Sequence, residues 1–167
     1  MVKLKHSTFS DKFPDRDITH ELAVMSRAIQ KVRQGVMPED FLLSNVTVHL
    51  LIQNRFGLEA MVVTSNGGPI NYVAIVYRGS NEFEDWVTNF TIGLTPFGYG
   101  YDRAIRVHKG FKTACHGENV STVIEEKVMD LMANTSLQLS EVIYVSGHSL
   151  GGKNSTDTFS HLQLYRY

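Results

Sequence analysis

The pentapeptide Gly147-His148-Ser149-Leu150-Gly151 stands directly after the apolar run Val142-Ile143-Tyr144-Val145. It matches G-x-S-x-G. A serine on a sharp strand-to-helix turn projects its Oγ above the sheet edge, where it can attack a carbonyl as the nucleophile. The glycines two residues before and two after remove β-carbons that would collide in so tight a turn. The backbone N–H of Leu150 then points to where an oxyanion would form. The same residues also read as G-x-x-x-x-G-K, from Gly147 through Gly152-Lys153, the opening of a nucleotide-binding P-loop. Asn154 stands where that motif wants Ser or Thr for Mg²⁺, and only 14 residues follow Lys153. A P-loop nucleotide binder is therefore the remote alternative.

A serine nucleophile needs a histidine to take its proton and a carboxylate to orient that histidine. On this type of elbow the order along the chain is serine, acid, base. Asp157 and His161 are the only residues in that order after Ser149. A helix rising about 1.5 Å per residue would carry them roughly 12 Å and 18 Å away. A base must come within roughly 3 Å of Oγ, so they are poor substitutes.

The elements that position the motif can be read from apolar spacing. Ile18, Leu22, Met25, Ile29 and Val32 line one face of a helix over about 17–34, with Asp17 as N-cap and Gly35 as stop. Residues 58–64 and 71–77 read as strands joined by a hairpin loop at Asn66-Gly67-Gly68-Pro69. The second of these is nearly continuously apolar, as a strand covered on both faces would be. Gly93, Pro96, Gly98 and Gly100 mark an irregular loop. A second helix over about 118–133 carries Val120, Ile124, Val128 and Leu131 on its apolar side. The run at 142–145 then gives a short buried strand. Helix, hairpin, helix and strand make an α/β domain.

The 167 residues suit a single domain, and 43% hydrophobic residues suit a packed core. A net charge of −1 provides no cationic excess for nucleic acid. No apolar run approaches the roughly 18 residues of a membrane span. The single Cys115 makes neither a disulfide nor a zinc cluster, and no metal or cofactor is expected. The N-terminal residues show no signal peptide, which at face value means cytoplasmic. Against this, Asn-X-Ser/Thr sequons occur at Asn45, Asn89, Asn119, Asn134 and Asn154. Nine Asn and 25 Ser/Thr placed at random would give only about one or two. A secretory origin stays open.

Three motifs together extend the reading. Ser146-Gly147-His148-Ser149-Leu150-Gly151-Gly152 is preceded by Val107-His108-Lys109-Gly110-Phe111. Earlier still stand Val76-Tyr77-Arg78-Gly79-Ser80 and Asp85-Trp86-Val87-Thr88-Asn89-Phe90. In this order they resemble the class 3 lipase family, the fungal-type triacylglycerol lipases of the α/β-hydrolase fold. The resemblance implies an incomplete α/β-hydrolase fold, its N-terminal half up to the nucleophile elbow. It divides the chain into a lead-in region over 1–57, a partial lipase domain over 58–152 and a tail over 153–167 outside the family pattern.

Residue by residue, the resemblance makes Ser149 the nucleophile, with Ser80 and the Leu150 N–H at the oxyanion. Asn81 to Phe90 would be the lid, whose apolar contacts are Phe83, Trp86, Val87 and Phe90. Such a stretch covers an acyl pocket when closed and meets a lipid–water interface when open. His108 is structural in that family. The expected substrate is a lipid ester, an acylglycerol or phospholipid, attacked by Ser149 to give an acyl-enzyme. The family's acid and base come many tens of residues after the serine. These 167 residues are therefore expected to be inactive alone and truncated relative to the family. The alternative is a non-catalytic lipase-like fragment that binds lipid or a partner. The strand at 142–145 should lack its outer neighbour, and self-association through an exposed sheet edge is expected.

Overall fold

The computed structural model describes residues 16–33, 45–55, 58–66, 70–79, 93–96, 106–109, 113 and 119–148. Helix α1 (Arg16–Arg33) is followed by strands β1 (Val46–Gln53), β2 (Glu59–Ser65) and β3 (Tyr72–Tyr77). Two short strands, β4 (Leu94–Pro96) and β5 (Arg106–His108), come next. Helix α2 (Val120–Ala133), a 3₁₀ turn over Thr135–Leu137 and strand β6 (Ile143–Gly147) complete the described chain.

The main sheet has the order β1-β2-β3-β6. The first three strands form an antiparallel meander, and β6 pairs with β3 in parallel. A parallel pair cannot be joined by a hairpin and needs a crossover, which α2 supplies. Alternation along β3 divides the core in two. Tyr72, Ala74 and Val76 pack with Met61 and Val63 of β2 against Ile18, Leu22, Met25 and Ile29 of α1. Val73, Ile75 and Tyr77 pack with Val120, Ile124, Val128 and Leu131 of α2. Each large aliphatic side chain buried in this way contributes about 1.5–3 kcal/mol of gross burial energy. Every residue of β3 is buried, as its apolar run requires.

Polar contacts fix the helix to the sheet. Glu21 on α1 accepts a 3.0 Å hydrogen bond from Ser65 Oγ and a short one from the Tyr72 hydroxyl. Ser26 Oγ donates to the Leu22 carbonyl at 2.9 Å and lies 3.3 Å from Ser146 Oγ on β6. Between Val48 and Leu50 the register of β1 slips, so His49 is the extra residue of a bulge. His49 Nε2 lies 2.8 Å from Thr64 Oγ1, and burial, with Lys127 nearby, pushes its pKa below the ordinary histidine value.

Several elements differ from the sequence reading. Strand β1 was not legible from spacing, because its burial alternates only weakly around the bulge. It pairs with β2 along Val46–Gln53 and so belongs to the same sheet. The expected irregular loop instead contributes β4, whose Leu94, Thr95 and Pro96 pair with His108, Val107 and Arg106. The strand expected to be buried at 142–145 is half-buried, runs over Ile143–Gly147, and leaves Val142 48% exposed before it. Among the described residues it is the last strand of the sheet, with no strand on its outer side.

Candidate active site

Two chain segments meet where β3 and β6 end. The parallel register pairs Val76 with Ser146 and Tyr77 with Gly147, so both strands finish at one level. In open α/β sheets the crevice beyond the carboxyl ends of the strands is where ligands bind. Gly147 closes β6 and the exposed His148 follows it. Arg78 and the buried Gly79 continue from β3.

The contact between the two segments is close. A β-carbon built on Gly79 would stand 2.6 Å from the His148 carbonyl oxygen and 2.8 Å from its Nδ1. Real β-carbons essentially never come that near, and one of the obstructing atoms is backbone. Glycine at position 79 therefore permits the segment that leads to Ser80 to lie against the segment that leads to Ser149.

The path of Arg78 is held from β2. Its backbone N–H donates to the Glu59 carbonyl at 3.0 Å, extending the ladder one step beyond Tyr77. Its Nη1 donates to Glu59 Oε1 at 2.7 Å. The Glu59 side chain is 4% exposed and that of Arg78 20%, so this is a largely desolvated ion pair. Sequence reasoning missed Glu59. The available signal was one carboxylate inside an apolar strand, with an arginine at the end of the strand it pairs with.

Of the site residues expected from the sequence, Gly147 and His148 are described and stand at the end of β6 beside Gly79. Ser80, Phe83, Trp86, Val87, Phe90, Ser149, Leu150 and Gly151 lie outside the described residues, as do Asp157 and His161. Among the described residues, no three or more His, Cys, Asp or Glu side chains come together in a way that would hold a metal ion. No described helix is long and apolar enough to cross a membrane.

Comparison with solved structures gives the same architecture. The Rhizomucor miehei triacylglyceride lipase is similar with a TM-score of 0.64 at 20% identity, over 92% of this chain and 57% of that one. A triacylglycerol lipase from Penicillium expansum gives 0.63 at 23% identity, over 88% of this chain and 53% of that one. A third triacylglycerol lipase, described as having a serine protease triad as its catalytic centre, gives 0.63 at 21% identity, over 93% and 58%. The chain thus spans a little over half the length of these similar structures and has their α/β-hydrolase fold. No curated protein matches it. The family profile described as Lipase (class 3) matches residues 74–159, from within β3 to seven residues beyond Gly152, where the sequence reading ends the resemblance. That match spans more than half of the 167 residues, and the chain belongs to the class 3 lipase family.

Proposed function

We propose that the chain carries the nucleophile and oxyanion half of a lipid-ester hydrolase. Ser149 Oγ attacks the ester carbonyl of an acylglycerol or phospholipid, and an acyl-enzyme forms that water then hydrolyses. The N–H of Leu150, with the N–H and hydroxyl of Ser80, stabilises the oxyanion that develops in the transition state. Phe83, Trp86, Val87 and Phe90 cover the acyl site and open onto a lipid–water interface. One observation carries this reading: the close approach of Gly79 to His148, with Tyr77 opposite Gly147. It brings together the segments immediately before Ser80 and Ser149, as an oxyanion hole and a nucleophile require. The description of one similar lipase as built around a serine protease triad supports the same chemistry.

A triad needs an acid and a base as well. Within these 167 residues only Asp157 and His161 follow Ser149 in the right order, and neither is expected to reach it. These residues alone therefore bind an ester without turning it over. The test is a paired assay of the 167-residue chain. A fluorophosphonate probe should label Ser149 slowly, with labelling lost in Ser149→Ala, while fatty-acid release from a short-chain ester stays at the uncatalysed rate. Release abolished by Ser149→Ala would show that a base is present within the chain. Lipid binding with no labelling at all would instead favour a non-catalytic lipid-binding fragment.

A further inference from the structure

Three of the five sequons can be placed on the fold. Those at Asn45, Asn119 and Asn134 fall among the described residues, and all three asparagines are exposed. Two asparagines outside sequons do structural work through their side chains. Asn54 is buried and its Oδ1 accepts from the Leu58 N–H at 3.0 Å, while Asn71 Nδ2 donates to the Leu137 carbonyl at 3.1 Å. Asn45 is held through its backbone, its carbonyl accepting from the Asn66 N–H at 2.9 Å. Asn134 Oδ1 accepts from the Ser136 N–H at 3.1 Å and from the Ser136 hydroxyl at 2.6 Å. Asn134 is exposed, and the hydroxyl two residues on is already turned to its side-chain amide.

Both sites share one end of the sheet. Asn45 precedes β1, whose Val46 pairs with Ser65, and Ser65 pairs with Tyr72 at the start of β3. Asn134 ends α2, and the turn behind it is tied to Asn71, one residue before β3. Gly79 and the elbow lie beyond the other end of β3. At about 3.3 Å per residue, the run from Tyr72 to Tyr77 alone separates the two ends by roughly 17 Å. Asn119 begins α2, one helix length away from Asn134.

We propose that Asn45 and Asn134 are N-glycosylation acceptors, that the chain enters a secretory lumen, and that its glycans stand at the sheet end remote from the elbow. The transfer forms a C–N bond between the anomeric carbon of an oligosaccharide and Nδ2. It breaks the anomeric C–O bond of a polyprenyl pyrophosphate donor, and the amide proton leaves with the pyrophosphate. Asn45 and Asn134 are both exposed, so a sugar added at either position stands in water. The excess of five sequons over the roughly one or two expected at random supports the same conclusion independently of the geometry.

The test uses the native protein from its source, treated with peptide N-glycosidase F in H₂¹⁸O and analysed by peptide mass spectrometry. Peptides containing positions 45 and 134 should return aspartate bearing one ¹⁸O. Each site stands or falls on its own label, and an unlabelled pair overturns the proposal. In full-length chain recovered from cells and medium together, Thr47→Ala and Ser136→Ala should each remove one glycan's mass. Because the glycan is added as the chain emerges, that readout does not depend on how well either variant folds.

Discussion

Gly79 and His148 stand closer than any residue with a side chain at position 79 would allow. A β-carbon there would lie 2.6 Å from a backbone oxygen. The two residues belong to segments leaving adjacent parallel strands, β3 and β6, and each immediately precedes a serine of the proposed site. Glycine at 79 is thus a requirement of the approach rather than of a turn.

Gly79→Ala should consequently push the two segments apart. Forcing a methyl group into filled space typically costs about 1–3 kcal/mol. We expect a lower urea midpoint, displaced amide signals for Gly147 and His148, and slower fluorophosphonate labelling of Ser149. An unchanged midpoint together with unchanged labelling would show that the segment after β3 yields without consequence.

The ion pair of Glu59 with Arg78 predicts a larger and asymmetric effect. Removing one partner of a buried pair leaves a charge without compensation and costs about 3–5 kcal/mol. The Glu59 side chain is 4% exposed and that of Arg78 20%, so partial hydration of the arginine places Glu59→Gln near the lower end. The double variant Glu59→Gln with Arg78→Met should recover part of that loss, because no charge then remains buried. Chemical unfolding of the two single variants and the double variant forms a cycle. A double variant as unstable as the sum of the singles would contradict coupling between the two side chains.

Periodicity and burial explain what could be read beforehand. The stripe Ile18, Leu22, Met25 and Ile29 and the set Val120, Ile124, Val128 and Leu131 both face the sheet, because a helix with one apolar face has only one way to bury it. Strand β3 announced itself through six consecutive buried residues. Strand β1 did not, since the bulge at His49 interrupts its two-residue period, and three of its eight residues are exposed and the other five only partly buried. Strands β4 and β5, three residues each, are too short to carry any period. At the site, the glycines and serines were legible as motifs. Glu59 was not, because a carboxylate in an apolar strand has meaning only once the strand pairing brings Arg78 beside it.

Tyr72 gives the structure an alkaline limit. Burial, the hydrogen bond to Glu21 and the charge of Glu21 raise its pKa well above the ordinary value of 10.0. The phenol therefore keeps its proton in the folded chain at pH values where the unfolded chain releases it. The stability it contributes is complete below about pH 10 and is lost as pH rises above that toward the folded pKa. Tyr72→Phe should lower stability at neutral pH by removing the hydrogen bond to Glu21, yet flatten the decline above about pH 10. Urea midpoints of both proteins across that range give the comparison. Parallel curves would mean that Tyr72 does not govern the alkaline loss.

The β6 edge leads to a prediction about association. Among the described residues β6 pairs only with β3, its residues are half-buried, and Val142 beside it is 48% exposed. A strand edge with an apolar approach is a template for pairing with another chain, and a lysine beside such an edge opposes that pairing by having to lose its hydration. Sedimentation of the 167-residue chain should show association that grows with concentration, and Val142→Lys should shift it toward monomer. Val142 makes its recorded contact through the backbone, its N–H donating to Ser140 Oγ at 3.1 Å, so the substitution leaves that bond in place. Association equal in both proteins would exclude the β6 edge as the surface responsible, and a monomer at all concentrations would show that the edge is covered.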